Sequence, residues 1–87
     1  MLTIYSKNNC SYCNQAKDFL RKRGIAFKEI KLDENQEALA FIRAEGHRTV
    51  PQIYQGTELY VANGFIGLIT VDPDKLNLLE KDMEYAS

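Results

Sequence analysis

The stretch Lys7-Asn8-Asn9-Cys10-Ser11-Tyr12-Cys13 decides how this chain is read. It follows an apolar run, Leu2 to Tyr5, which suits a first strand. It leads into a pattern in which Cys13, Ala16, Phe19 and Leu20 share one helical face. Two cysteines spaced Cys-x-x-Cys between a strand and a helix read as a redox pair. If Cys10 sits where the helix begins, Cys13 lies one turn further on and the two sulfurs come within disulfide reach. There Cys10 also faces the free N–H groups and the positive dipole end of the helix, which favour its thiolate. Lys7 adds a nearby cation.

Magnitudes show what a lowered thiol pKa is for. Taking a cysteine from about 8.5 to about 5 raises its thiolate fraction at pH 7 roughly 30-fold. Its intrinsic nucleophilicity falls by a similar factor for a Brønsted slope of about 0.4–0.5. Attack by Cys10 therefore gains little, whereas Cys10 becomes a better leaving group when a second thiol arrives. The shift corresponds to about 5 kcal/mol, more than the roughly 0.3–2 kcal/mol a helix end supplies. Hydrogen bonds from the N–H groups of Tyr12 and Cys13, with Lys7, are expected to supply the rest.

At 87 residues, 45% hydrophobic and 26% charged, the chain is expected to form one domain, residues 1–87, with a modest core. No run approaches membrane-spanning length, and the N-terminus opens on a strand pattern rather than a signal peptide, so the expected compartment is the cytoplasm. Thiols are kept reduced there, and a lone Cys-x-x-Cys is catalytic rather than structural. One histidine and no second cysteine pair argue against a four-ligand zinc site. The net charge of −1 gives no sign of nucleic-acid binding. The charge is uneven, however: Lys7, Lys17, Arg21, Lys22 and Arg23 crowd the first third, and Asp72, Asp74, Glu80, Asp82 and Glu84 load the last. Solvated surface is the plain reading of that asymmetry, and steering of an anionic thiol or acidic partner is the functional one.

Along the chain, the first helix should end near Gly24, after Arg21-Lys22-Arg23. Ile25 to Leu32 reads as a second strand, and Asp33 with Gln36 as a capping box opening a second helix. That helix carries Ala38, Leu39, Phe41 and Ile42 inward and stops at Gly46. His47 reads as a surface or helix-end histidine without a role. Thr49 to Tyr54 is a strand, and Gln55-Gly56 a tight turn into Glu58–Val61, with Tyr54 opposite Tyr60. Phe65 to Val71 fits either a strand or a short helix. Asp72-Pro73 opens a terminal helix with Leu76, Leu79 and Met83 inward, fraying into Tyr85-Ala86-Ser87. The order predicts an α/β fold: a βαβ unit then a ββα unit, giving a four-stranded mixed sheet with helices on both faces.

Tyr5-Ser6-Lys7 before Cys10-Ser11-Tyr12-Cys13, then Thr49-Val50-Pro51-Gln52, then Asn63-Gly64-Phe65, resemble the glutaredoxins in order and separation. The resemblance runs from Leu2 to roughly Leu68 and implies a thioredoxin fold with a cis Val50–Pro51 bond. It implies a monomeric thiol–disulfide oxidoreductase with Cys10 as nucleophile and Cys13 as resolving thiol. Glutathione would be the co-substrate, held by Lys7, Tyr12, Thr49, Val50 and Pro51, with the backbone N–H groups of Gly64 and Phe65 on its γ-glutamyl carboxylate. Disulfide-containing proteins would be the substrates, ribonucleotide reductase among the family's candidates.

Two departures stand out. The family usually has Gly-Gly-x-Asp where this chain reads Asn63-Gly64-Phe65-Ile66, and Ile66 cannot accept a hydrogen bond from the γ-glutamyl ammonium. Ser11 replaces the more usual proline, as in some glutaredoxins that bridge a [2Fe–2S] cluster between two subunits through the position of Cys10. Arg43-Ala44-Glu45-Gly46-His47-Arg48 and Asn63-Gly64-Phe65 also resemble the NrdH redoxins. Those glutaredoxin-like proteins are reduced by thioredoxin reductase and serve ribonucleotide reductase.

Overall fold

The computed structural model describes residues 1–79 and Lys81. Its elements are β1 (Leu2–Ser6), α1 (Ser11–Lys22), β2 (Phe27–Lys31), a 3₁₀ turn (Leu32–Glu34), α2 (Gln36–Ala44), β3 (Gln52–Gln55), β4 (Glu58–Val61), α3 (Gly64–Ile69) and α4 (Pro73–Leu76). The strands lie in the order β2-β1-β3-β4. β1 runs parallel to β2 and antiparallel to β3, and β3 is antiparallel to β4. This is the thioredoxin fold. No helix among the described residues is long and apolar enough to cross a membrane.

β1 lies in the middle because both its faces are apolar. Leu2 and Ile4 face Ala16 and Leu20 of α1, and share their core with Ile25, Ile53, Leu68, Leu76 and Leu79. Tyr5 points the other way, into a cluster of Leu32, Ala38, Ile42 and Tyr54 under α2. Each fully buried Leu or Ile of these layers contributes about 1.5–3 kcal/mol, so the sheet is clamped from both sides and the ends of its strands are fixed.

Several boundaries differ from the sequence-based expectation. β2 is shorter than Ile25–Leu32: Ile25 is held by an isolated bridge to Lys81, and Leu32 enters the 3₁₀ turn. The cap of α2 is Asn35, whose side chain accepts from the Ala38 N–H at 2.9 Å, rather than Asp33. Asp33 is occupied elsewhere, accepting the Asn8 N–H at 3.0 Å. Thr49, Val50 and Pro51 precede β3 as a loop, and the hairpin turn falls on Gly56-Thr57. The ambiguous segment after Gly64 is helical, as α3. Leu76 and Leu79 are buried as expected; Met83, Tyr85, Ala86, Ser87 and the acidic Glu80, Asp82 and Glu84 lie outside the described residues.

Tyr54 does not face Tyr60. A register shift between Ile53 and Tyr54 pairs Tyr54 with Leu59 instead. The tyrosines consequently join opposite cores, Tyr60 packing with the α1 layer and Tyr54 with the α2 layer. Tyr54 is edge-on to Tyr5, Phe41 and His47, with ring centroids 5.4–5.8 Å apart. Its hydroxyl donates to Glu45 Oε1 at 3.2 Å and lies 2.7 Å from His47 Nε2. The phenol has one hydrogen, so His47 serves it as donor. His47 thus ties the end of α2 to the sheet, a role its sequence context did not suggest.

Burial, together with the charge and hydrogen bond of Glu45 and the nearby Tyr5, pushes the Tyr54 phenol up to about 12. A phenol raised above its ordinary 10.0 ionises less readily in the folded chain, so its stabilising effect is complete below pH 10 and is lost as pH rises through about 12. Denaturant midpoints should therefore fall more steeply from pH 10 to 12 for the native chain than for Tyr54→Phe. The differential is about 2–3 kcal/mol once ionisation is complete. Equal slopes would contradict the buried position of the hydroxyl.

Candidate active site

β1 ends at Ser6 and the chain turns through Lys7, Asn8 and Asn9 before α1. Asn9 takes the left-handed conformation at φ +59°, which asparagine tolerates better than most residues. Asn8 pins the turn: its N–H and side-chain amide donate to Asp33 and Glu34 at 3.0 and 3.1 Å, and Lys31 Nζ donates to its Oδ1 at 3.0 Å. Below it, the fully buried Ser6 hydroxyl donates to Glu29 Oε2 at 2.6 Å, and Lys17 Nζ pairs with the same oxygen at 3.0 Å. Burial alone would raise the Glu29 carboxyl, but Ser6, Lys17 and Lys31 together hold it below its ordinary value.

Cys10 is the N-cap of α1, with extended backbone, and its sulfur accepts from the Cys13 N–H at 3.1 Å. Of the two N–H groups expected to serve Cys10, that of Cys13 does so. The next turn closes normally, Asn14 N–H to Cys10 carbonyl at 3.1 Å. Cys10 and Cys13 form a disulfide with their Cα atoms 5.2 Å apart. Cys13 is 1% exposed and Cys10 9%. An incoming thiolate therefore meets the Cys10 sulfur first.

The Val50–Pro51 bond is cis. The Val50 carbonyl oxygen lies 4.0 Å from Cys10 Sγ, a van der Waals contact, since a disulfide sulfur carries no proton to donate. Neither the N–H nor the carbonyl of Val50 has a backbone hydrogen-bond partner among the described residues. Gln52 braces this loop by donating to the Thr49 carbonyl at 2.9 Å. Asn63, left-handed at φ +67°, turns the chain into α3. Gly64 follows at φ +54°, and a Cβ there would sit 2.7 Å from the Pro51 carbonyl oxygen. Only glycine allows that approach.

Tyr12, Thr49, Val50, Pro51, Gly64 and Phe65 converge on one cavity of about 260 Å³, with Asn63 and Ile66 on its rim. Tyr12 and Phe65 lie ring to ring at 6.2 Å, and Tyr12 and Ile66 are more than half exposed. Lys7 is not among them. It lines a neighbouring cavity of about 280 Å³ that shares Thr49 and Val50 and is otherwise walled by the 3₁₀ turn, α2 and the following His47 and Arg48. The basic residues of α1 and its C-cap are largely committed elsewhere: Lys17 to Glu29, Arg21 to Asp18 and the Phe27 ring, and the C-cap Arg23 to the face of Phe19.

Comparison with known proteins agrees with this geometry. The Glutaredoxin family profile matches residues 2–60. The glutaredoxin-like protein NrdH of Lactococcus lactis subsp. cremoris is 43% identical over 53 residues, 61% of this chain and 74% of that protein. Glutaredoxin 3 of Escherichia coli is 40% identical over 52 residues, 59% of this chain and 63% of that protein. The solved NrdH-redoxin of Escherichia coli, a glutaredoxin-like protein with a thioredoxin-like activity profile, superposes with a TM-score of 0.67 at 33% identity, covering 87% of this chain and 90% of that one. A profile match running from β1 to within β4, over a disulfide capping α1, leaves one conclusion: this chain belongs to the glutaredoxin family, whose members are thiol–disulfide oxidoreductases.

Proposed function

We propose that the chain is a dithiol glutaredoxin that reduces protein and glutathione mixed disulfides, with Cys10 as nucleophile and Cys13 as resolving thiol. The observation that supports these roles is the unequal access of the two residues, Cys10 9% exposed at the helix mouth and Cys13 1% beneath it. The Cys10 thiolate attacks a substrate disulfide, forms a mixed disulfide with one half and expels the other as a thiolate. Cys13 loses its proton and attacks Cys10 Sγ, which releases the second half and leaves the Cys10–Cys13 bond. One glutathione thiolate then attacks Cys10 and frees Cys13. A second attacks the glutathione sulfur, giving oxidised glutathione and restoring the Cys10 thiolate.

Glutathione would lie in the cavity of Tyr12, Pro51, Gly64 and Phe65, its cysteinyl unit against the unpaired backbone of Val50 and its glycine end toward Lys7. The cytoplasm is the proposed compartment, and ribonucleotide reductase a proposed disulfide partner. A second reading, an NrdH-type redoxin reduced by thioredoxin reductase, is favoured by Ile66, 56% exposed beside Tyr12 where an aspartate would hold the γ-glutamyl ammonium.

Turnover of one mixed disulfide, driven by glutathione with glutathione reductase or by thioredoxin reductase, separates the two. Glutathione-driven turnover is expected, and turnover with thioredoxin reductase alone would reject glutathione as reductant. Ile66→Asp restores a charge-assisted acceptor at a half-exposed site, an effect of about 1–1.5 kcal/mol. The KM for a glutathione mixed disulfide should fall roughly five- to tenfold, with kcat nearly constant. An unchanged KM would place the γ-glutamyl group elsewhere.

A further inference from the structure

The second cavity beside the disulfide has an apolar floor and a basic rim. Leu39, Ile42 and Val50 form the floor, and Lys7, Arg43 and Arg48 carry the charge. All three cations are exposed, and none forms an ion pair among the described residues. One carboxylate, Asp33, also lines the cavity and accepts the Asn8 N–H, so three cations stand against one anion, and the Glu45 carboxylate is turned to the Tyr54 hydroxyl. A protein with a formal charge of −1 thus holds a net positive rim next to its reactive sulfur.

We infer that this cavity recognises an acidic side chain on a protein disulfide substrate, placed within two or three residues on the C-terminal side of the cysteine that bonds to Cys10. The direction rests on the proposed glutathione pose, in which the γ-glutamyl end meets Gly64 and Phe65 and the chain leaves past Val50. A tripeptide ends there, its terminal carboxylate near Lys7. A protein chain continues. Pairing with the free backbone groups of Val50 keeps it extended, advancing about 3.3 Å per residue, and brings the following side chains to Arg43 and Arg48. The floor accommodates the methylene stem of a glutamate while the arginines meet its carboxylate in bidentate fashion.

The test uses acetylated and amidated peptide homodisulfides, Gly-Cys-Gly-Glu-Glu-Gly, the same peptide with two lysines for the glutamates, and the reversed order Gly-Glu-Glu-Gly-Cys-Gly. The second-order rate at which each oxidises the fully reduced protein is measured at low salt. The forward acidic peptide is expected to react about tenfold faster than the lysine peptide, and several-fold faster than the reversed one. The charge-swapped pair Arg43→Glu with Arg48→Glu should invert the acidic-to-basic ratio. Arg48→Gln alone should lower it by about half on a logarithmic scale. Both rates come from one protein sample, so a partial loss of activity cancels in the ratio. Acidic and basic peptides reacting within twofold, a ratio that survives the charge swap, or a reversed peptide as fast as the forward one would each overturn the inference. Failure of the glutathione reading would show separately, as absent turnover with glutathione while the peptide ratios stand.

Discussion

Cys10→Ser is expected to remove turnover with every disulfide substrate, a loss of at least about a thousandfold. The reason is chemical rather than steric, since a serine hydroxyl remains protonated at neutral pH and cannot displace a sulfur. Cys13→Ser should behave differently. It leaves the N-cap geometry, the Cys13 backbone N–H that serves Cys10, and the cavity beside it intact. It should keep most of its activity on glutathionylated substrates, where a second glutathione takes the place of the resolving thiol, and lose activity on protein disulfides that need both sulfurs. Burial at 1% explains why Cys13 cannot stand in for Cys10. Iodoacetamide labelling of the reduced protein followed by peptide mapping reads the same asymmetry directly. Alkylation of Cys13 ahead of Cys10 would reverse the assignment.

Gly64→Ala is expected to cost about 2–4 kcal/mol of stability, or a fall in Tm of roughly 10–25 °C. Two effects combine. A left-handed φ of +54° is unfavourable for alanine, by about 1–2 kcal/mol. The added Cβ would also lie 2.7 Å from the Pro51 carbonyl oxygen, a backbone atom that cannot swing aside like a flexible side chain. Gly56→Ala separates the two, because Gly56 is at φ +62° with nothing within 4 Å. It should show the conformational part alone. Relief of the Gly64 contact requires α3 to move off Pro51, so Gly64→Ala should also weaken binding in the Tyr12–Phe65 cavity. Equal denaturant midpoints for the two variants would mean that the approach to Pro51 carries no weight.

Much of this architecture was legible in the residues themselves, and the exceptions share a cause. The junction of Leu2–Tyr5 with Cys10, the inward stripe of α1 and the Asp72-Pro73 start of α4 follow from local chemistry, and the structure agrees. What failed depended on partners distant in sequence. Asp33 looks like a helix cap until Asn8 claims it from 25 positions away. Tyr54 and Tyr60 look like cross-strand neighbours until the irregularity after Ile53 moves each to a different layer. His47 gains its partner only because β3 carries the Tyr54 hydroxyl under the end of α2. At the site, Tyr12, Thr49, Val50, Pro51, Gly64 and Phe65, grouped in the sequence by motif order, line one cavity. Lys7 falls in the adjoining basin with Arg43 and Arg48, a grouping that no linear spacing announces.

The different depths of the two sulfurs also constrain how the protein handles traffic. Donor and acceptor must both arrive at the Cys10 end of the bond, because the other end is sealed. They cannot be seated together, so each cycle divides into two visits through a single doorway. The chain itself must hold the electron pair during the interval between callers.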